Sequence, residues 1–331
     1  MYTSIYNERA LGDLVPAARV RTTYLQRFPL HERYFRMLAP FYPHAFESLD
    51  LREYDLVVSS TTAWAKGVLT RPDAVHVCYI NTVSRFAFDE ERYLGGLGVS
   101  LLARPIVRGL VEWDKRAAAR PTRFIANSRN VAARIERYYG RTATVLPCPV
   151  DVDRYTVGPG GGDYFVVVSR LLPYKGIDRA IEACALAGVP LHIVGTGPAE
   201  TALRAAARGT QTTFHGYIDD ATVNAVVGNA RAAIVPGEED FGLMPLEAAA
   251  AGRPTIALAA GGALETIVDG ETGMFFHEPT ATALAAALRD FDSDDYDATR
   301  LRAHAQRYAP AQFVTRLRAI VDETVQQREH G

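Results

Sequence analysis

The chain has 331 residues and 36.2 kDa, with 48% hydrophobic and 22% charged residues, so two ordinary domains fit and wholesale disorder does not. No apolar run reaches the roughly 18–20 residues of a membrane span. The opening MYTSIYNERALGDL lacks a secretory leader's pattern, and the scattered Cys78, Cys148 and Cys184 make neither a disulfide framework nor a zinc site, so a cytoplasmic location is expected.

The net charge of −2 conceals an asymmetry: residues 1–150 carry 21 Lys and Arg against 14 Asp and Glu, and residues 151–331 carry 15 against 24. A basic half and an acidic half suggest two domains with different partners. Nucleic acid is not expected among them, because no basic stretch interleaves aromatic residues.

Short β-rich runs alternate with helical stretches, which predicts an α/β fold with parallel sheets. In the first half, strands are expected at 20–25, 55–60, 75–80, 123–127 and 144–146, with a helix at 105–119. The run VGPGGGDY at 157–164 holds four glycines and a proline in eight residues and reads as a hinge. Beyond it, strands are expected at 164–169, 191–195, 212–215, 232–236, 255–258 and 274–276. Helices are expected near 177–187, 198–208, 220–229, 245–251, 281–290 and 311–327. Two Rossmann-like lobes with an interlobe cleft follow, and ligands in such sheets bind beyond the carboxyl ends of strands. The acidic run DFDSDDYD (290–297) reads as a helix-capping loop rather than a metal site.

The stretch PGEEDFGLMPLEAAAAG (236–252) carries most of the chemical information. Pro245 suits only a first helical turn, alanines 248–251 propagate the helix, and Gly252 ends it. Phe241, Gly242 and Leu243 therefore stand at a helix N-terminus, whose free N–H groups and positive dipole end suit a phosphate. Glu239 and Glu247 flank that point. Their carboxylates make sense if the ligand also presents hydroxyl donors. In YFVVVSRLLPYKG (164–176), Arg170 and Lys175 follow a buried strand and could neutralise a diphosphate; the alternative is a surface pair beside a turn. The chain has only two other lysines, Lys66 and Lys115.

Glu239 and Glu247 form E-x7-E within EEDFGLMPLEAAAAG. Together with SRLLPYKG, VGTGP (194–198) and GGALETIVDGETG (261–273), this resembles the retaining glycosyltransferases of family 4, glycosyl transferases group 1, with the GT-B fold. FIANSRNVAARIERYYG (124–140), LPCPVDVDRY (146–155) and DLVVSSTTAWAKG (55–67) are similar to the family's acceptor-lobe segments.

The resemblance implies an acceptor lobe at 1–157, a donor lobe at 158–308 and a terminal helix at 309–331 bracing the first lobe. It implies that Arg170 and Lys175 bind the donor diphosphate and that Glu239 holds the sugar hydroxyls. Phe241, Gly242 and Leu243 would supply amides, and Glu247 would bind the ribose. Gly195 and Gly197 would form a turn near the nucleotide, and Ile218 would meet the base or simply end a strand. Gly261 and Gly262 would be turn glycines, and Glu265 a helix-start carboxylate. Ser128 and Arg134 fall on the acceptor side. No metal cofactor is implied. Overall likeness favours a mannosyltransferase using GDP-mannose over one using UDP-glucose, with a glycan or polyprenyl-linked glycan acceptor in surface polysaccharide or glycolipid synthesis.

Two departures stand out. The family's usual first strand and glycine-rich loop would lie upstream of Met1, so a truncated, catalytically impaired nucleotide-sugar-binding protein or partner subunit is the alternative to an enzyme. Relatives often carry histidine where this chain has Asn81, which can hydrogen-bond but cannot act as an acid or base near neutral pH. The remaining histidines show no ligand spacing. The stretch SLLARPIVRGLVEWDKRAAA (100–119) could lie on an anionic inner membrane face as a peripheral contact, or pack on its own lobe with a basic outer face. A nicotinamide oxidoreductase is disfavoured by the lack of G-x-G-x-x-G after a first strand.

Overall fold

The structure is a computed structural model that describes residues 1–11, 14–29, 37–84 and 104–330. Residues 85–103, including part of the CYINTVSRFAFD segment and the start of the amphipathic stretch, lie outside the described residues. Two compact units are present. The first comprises Met1–Asn127, Val131–Val145 and Arg318–Gly331, and the second Ser128–Asn130 and Leu146–Leu317.

The first unit carries β1 (Tyr2–Thr3), β2 (Arg21–Thr22), β3 (Leu56–Thr61), β4 (Val75–Ile80), β5 (Arg123–Ala126) and β6 (Ala143–Val145). Its helices are α1 (Glu8–Leu11), α2 (Tyr42–Glu47), α3 (Arg104–Ala117) and, from Val131 on, α4 (Arg129–Tyr139), whose first two residues belong to the second unit. A parallel sheet runs β3-β4-β5-β6, while β1 and β2 pair separately. All six residues of β4 are buried, as expected for an inner parallel strand covered on both faces. Cys78, Ile80, Phe124 and Ala126 pack with Val131 and Ile135 of α4.

The strand expected at 20–25 is corrected to Arg21–Thr22. Thr23 Oγ1 accepts the Leu25 N–H and starts a 3-10 turn over Tyr24–Arg27, which buries Leu25. A local side-chain bond has here competed with the ladder.

The second unit carries β7 (Phe165–Val168), β8 (Leu191–Val194), β9 (Thr212–Gly216), β10 (Ala233–Val235), β11 (Thr255–Leu258) and β12 (Gly273–Phe276). Between and after them lie α5 (Ile177–Ala187), α6 (Glu200–Ala206), α7 (Asp220–Asn229), α8 (Leu243–Ala250), α9 (Ala263–Thr266), α10 (Ala281–Asp290), α11 (Ala298–Gln306) and α12 (Pro310–Glu329). The sheet is parallel, in the order β12-β11-β10-β7-β8-β9. This doubly wound order reverses direction between β7 and β10.

Period-two alternation in FVVV sends Phe165 and Val167 to one core, with Ile177, Ile181, Leu284 and Leu288. Val166 goes to the other, with Leu246, Ala249, Leu301 and Ala305. The acidic run caps helices as expected: Asp292 accepts the Asp294 N–H, and Asp297 accepts the Arg300 N–H at the start of α11. No helix of the described residues is long and apolar enough to cross a membrane.

In the C-terminal part of α12, Glu323 accepts from the Arg123 guanidinium at 2.8 Å, and the Arg328 guanidinium donates to the Pro72 carbonyl. These contacts seat residues 318–330 within the first unit.

Candidate functional site

The reversal of strand order places the loops after β7 and β10 side by side, where doubly wound sheets open a crevice. After β7 the chain runs through Ser169 and the exposed Arg170 into a 3-10 turn at Pro173–Lys175. After β10, residues 236–241 lead to Gly242, whose φ of 86° makes it the left-handed N-cap of α8. Glycine adopts that conformation without steric cost. The two loops are locked together. Arg179 donates to the Pro236 carbonyl, and Lys175 Nζ donates to both Glu239 carboxylate oxygens at 2.6 Å. The two side chains are only 16% and 25% exposed, so solvent weakens this pair less than a surface one. An ammonium, a carboxylate and the free first-turn amides of α8 thus share one corner of the second unit.

The Glu239 loop rests on the loop after β11. Glu239 pairs with Gly261 in an isolated parallel bridge, and the Gly262 N–H donates to the Glu239 carbonyl at 2.8 Å. A Cβ on Gly262 would stand 2.3 Å from Phe241 Cα and 2.3 Å from its carbonyl oxygen. The turn-glycine reading of 261–262 therefore understates their role, since they admit the main chain that presents Glu239. Gly262→Ala is expected to destabilise the second unit by about 1–3 kcal/mol, the usual cost of overpacking. Urea unfolding followed by far-UV circular dichroism measures it, and an unchanged midpoint would contradict the close packing.

Glu247 sits in α8, hydrogen-bonded to the buried Tyr155 hydroxyl. Burial raises its pKa above the ordinary 4.5, against the smaller opposing effects of the Tyr155 hydrogen bond and the Arg154 charge. Arg154 in turn pairs with Asp220. Tyr155 closes the quoted LPCPVDVDRY segment, but residue type alone gave no reason to place it against Glu247. If the Glu247 carboxylate accepts from ligand hydroxyls, nucleotide affinity falls as pH drops through this raised pKa. Tyr155→Phe removes one acidifying influence, so the midpoint moves to higher pH. Isothermal titration of UDP and GDP between pH 4.5 and 8 would read that shift, and superimposable profiles for the two proteins would refute it.

The other expected site residues are placed as follows. Phe241 is buried, 6.2 Å ring to ring from Tyr308, so only its main chain is presented. Leu243 is exposed at the start of α8. Gly195 and Gly197 follow β8 and press on the 169–171 backbone. Added Cβ atoms there would lie 2.0 Å from the Ser169 carbonyl oxygen and 2.3 Å from that of Leu171. Ile218 is partly buried between β9 and α7 and packs at the edge of the core around Val166. Ser128 is buried, and its hydroxyl donates to the Asp240 carbonyl at 2.6 Å. Asn81 lies in the first unit just beyond β4, its carboxamide donating to Ser60 Oγ and its carbonyl accepting from Asn127. Arg134, midway along α4, is in the first unit too.

The structure thus gathers Lys175, Glu239, Gly242 and Leu243 beyond the carboxyl ends of the two central strands β7 and β10, with Glu247 further along α8 against Tyr155. Asn81 and Arg134 belong to the first unit. Glu265 is more than a helix-start carboxylate: it accepts the N–H groups of Arg129 at 2.8 Å and Asn130 at 3.0 Å.

The glycosyl transferases group 1 family matches residues 156–311, and Glycosyltransferase Family 4 matches residues 5–154. A GDP-mannose-dependent alpha-(1-6)-phosphatidylinositol monomannoside mannosyltransferase of Mycolicibacterium smegmatis is 30% identical over 65% of this chain and 68% of its own length. The chain belongs to the family 4, group 1 glycosyltransferases.

D-inositol 3-phosphate glycosyltransferase of Geodermatophilus obscurus is 31% identical over 56% of this chain. The match spans 49% of that relative, and 36% of a 37% identical glycogen synthase of Mycobacterium tuberculosis that aligns with 42% of this chain. This chain therefore spans half or less of those relatives. Sucrose-phosphate synthase from Thermosynechococcus elongatus superposes with a TM-score of 0.72 at 20% identity, covering 92% of this chain and 83% of that one. The Anabaena protein HepE, solved with UDP and glucose, gives 0.65 at 18% identity, covering 95% and 89%. The fold is GT-B.

Proposed function

We propose that the chain is a retaining glycosyltransferase that moves a hexose from a nucleotide diphosphate sugar to a glycan or lipid-linked glycan. The observation that carries this reading is the Lys175–Glu239 pair beside the α8 N-terminus at the strand reversal. Scission at the anomeric carbon sends negative charge onto the departing diphosphate. Lys175, Arg170 and the α8 amides would stabilise that charge as it develops. An ammonium has three N–H donors, and Glu239 takes two of them, so a ligand phosphate can share Lys175 without breaking the pair entirely. Glu239 and Glu247 would accept from sugar and ribose hydroxyls, while Asn81 and Arg134 fall to acceptor recognition.

Mannose from GDP-mannose is the favoured donor, supported by the mannosyltransferase relative, with UDP-glucose next, supported by the complex of the Anabaena neighbour. A thermal-shift panel of UDP, GDP, UDP-glucose and GDP-mannose tests the reading. Stabilisation by one diphosphate series is expected, and no shift with any member overturns it. A nucleotide-sugar-binding protein without transfer is the second reading, favoured by Asn81 standing where relatives often carry histidine. Donor hydrolysis above background by the purified chain would exclude it.

A further inference from the structure

The Glu239–Asp240 main chain is held from two sides. Gly262 N–H donates to the Glu239 carbonyl at 2.8 Å. From the other side Ser128 Oγ donates to the Asp240 carbonyl at 2.6 Å, and Asn130 Nδ2 reaches the Glu239 carbonyl at 3.4 Å. Residues 128–130 are in turn fixed by Glu265. Its Oε2 accepts the Arg129 N–H at 2.8 Å and its Oε1 the Asn130 N–H at 3.0 Å, satisfying two first-turn donors of α4. Glu265 is itself tied back: its N–H donates to the Gly262 carbonyl at 2.9 Å, and its carbonyl accepts from Tyr308 OH at 3.2 Å. The hydrogen bonds close a ring, Glu239–Gly262–Glu265–Arg129/Asn130–Ser128–Asp240, within the second unit.

We propose that Glu265 is a positioning residue for Glu239: by clamping the start of α4 it sets the main chain from which Glu239 reaches Lys175. A plain helix cap would stabilise α4 and leave the Glu239 loop indifferent. The ring predicts that the two are coupled through Ser128. That Glu239 handles a sugar donor rests on the proposed function; that Glu265 orders its loop does not.

The test uses Glu265→Gln, which keeps one carboxyl-type acceptor, and Ser128→Ala, both in the full chain. Hydrogen exchange by mass spectrometry is followed over peptides covering 236–246, 129–139 and β7. In Glu265→Gln, exchange over 236–246 should rise about tenfold, the effect of one lost charge-assisted hydrogen bond. The β7 peptide should be unchanged. Ser128→Ala should produce the same loosening of 236–246, and the double variant should loosen it no further than the stronger single. Acceleration confined to 129–139, or additive effects over 236–246, would reduce Glu265 to a cap and overturn the proposal.

Titration with UDP and GDP is run alongside. Absence of binding by the unsubstituted chain would defeat the functional reading while leaving the exchange result to decide the positioning role. Where UDP-glucose or GDP-mannose is hydrolysed, Glu265→Gln should lower kcat about tenfold with KM moving less than about twofold. A fall in KM-linked affinity alone would count against positioning.

Discussion

Under the proposed function, Lys175→Ala is expected to lower donor turnover by about 10²–10³-fold, the usual loss when one preorganised donor to a developing oxyanion is removed. The expectation follows from geometry. Lys175 is held by two 2.6 Å contacts to Glu239, beside a helix N-terminus, in a half-buried corner where charge is poorly screened. The substitution removes the cation and leaves Glu239 without its partner, so the site carries one more unit of negative charge. UDP and GDP should therefore bind far more weakly, whereas uridine and guanosine, which lack the diphosphate, should bind almost as before. Titration calorimetry with the four ligands decides it. Equal losses for nucleosides and nucleoside diphosphates would remove Lys175 from the diphosphate site. Lys175→Arg keeps the charge but not the compact ammonium between the two oxygens, so partial rescue of binding is expected.

The second large effect concerns stability of the first unit. Lys66 and Asp114 are 1% and 0% exposed in their side chains, and Nζ lies 2.5 Å from Oδ1. Ser84 donates to the same oxygen at 2.5 Å and Tyr139 to the other at 2.7 Å. Lys66 also donates to the Ala63 carbonyl, and the Trp113 and Tyr139 rings lie within 6 Å of its ammonium. The network joins the turn after β3, the segment after β4, α3 and α4.

Asp114→Ala leaves a buried ammonium without its counter-charge and takes away the acceptor that Ser84 and Tyr139 share, at a cost of about 3–5 kcal/mol. Lys66→Met with Asp114→Leu removes both charges, and should recover most of that loss. Chemical denaturation followed by tryptophan fluorescence reads the first unit selectively, because the chain's two tryptophans, Trp64 and Trp113, both belong to it. A single variant as stable as the unsubstituted chain would refute the account.

The network also shows how the amphipathic stretch packs. Leu110, Trp113, Asp114 and Ala117 point inward, while Arg104, Arg108, Lys115 and Arg116 are exposed. Residues 104–117 thus form a helix packed on its own unit, with its basic side chains on the outer face. A carboxylate facing the core could not be read from periodicity, which treats every Asp as a solvent residue. Its partner Lys66 is 48 residues away in sequence.

Much of the candidate site was legible because its signals are local. Pro245, the alanine run and Gly252 mark a helix by the conformations these residues allow, and α8 forms over Leu243–Ala250 with Gly252 left-handed at φ 74°. Lys175 stood out as one of three lysines, following a run of β-branched residues. Tyr155, Ser128 and Glu265 were not assigned these contacts, because each acts through a partner more than 90 residues distant, and no pattern along the chain encodes that distance.

By itself the sequence determined the alternation of strands and helices, the helix N-terminus after Gly242 and the cluster of charged residues around it. These depend on φ, hydrogen-bonding capacity and apolar periodicity, which are properties of neighbouring residues. The tertiary structure alone decided that β7 and β10 lie side by side, and so that Lys175 meets Glu239. It also decided that the Glu265 carboxylate closes on the start of α4. Strand order and side-chain pairing across the sheet come from burying both faces of β7 at once, a condition the whole unit satisfies and no single segment can express.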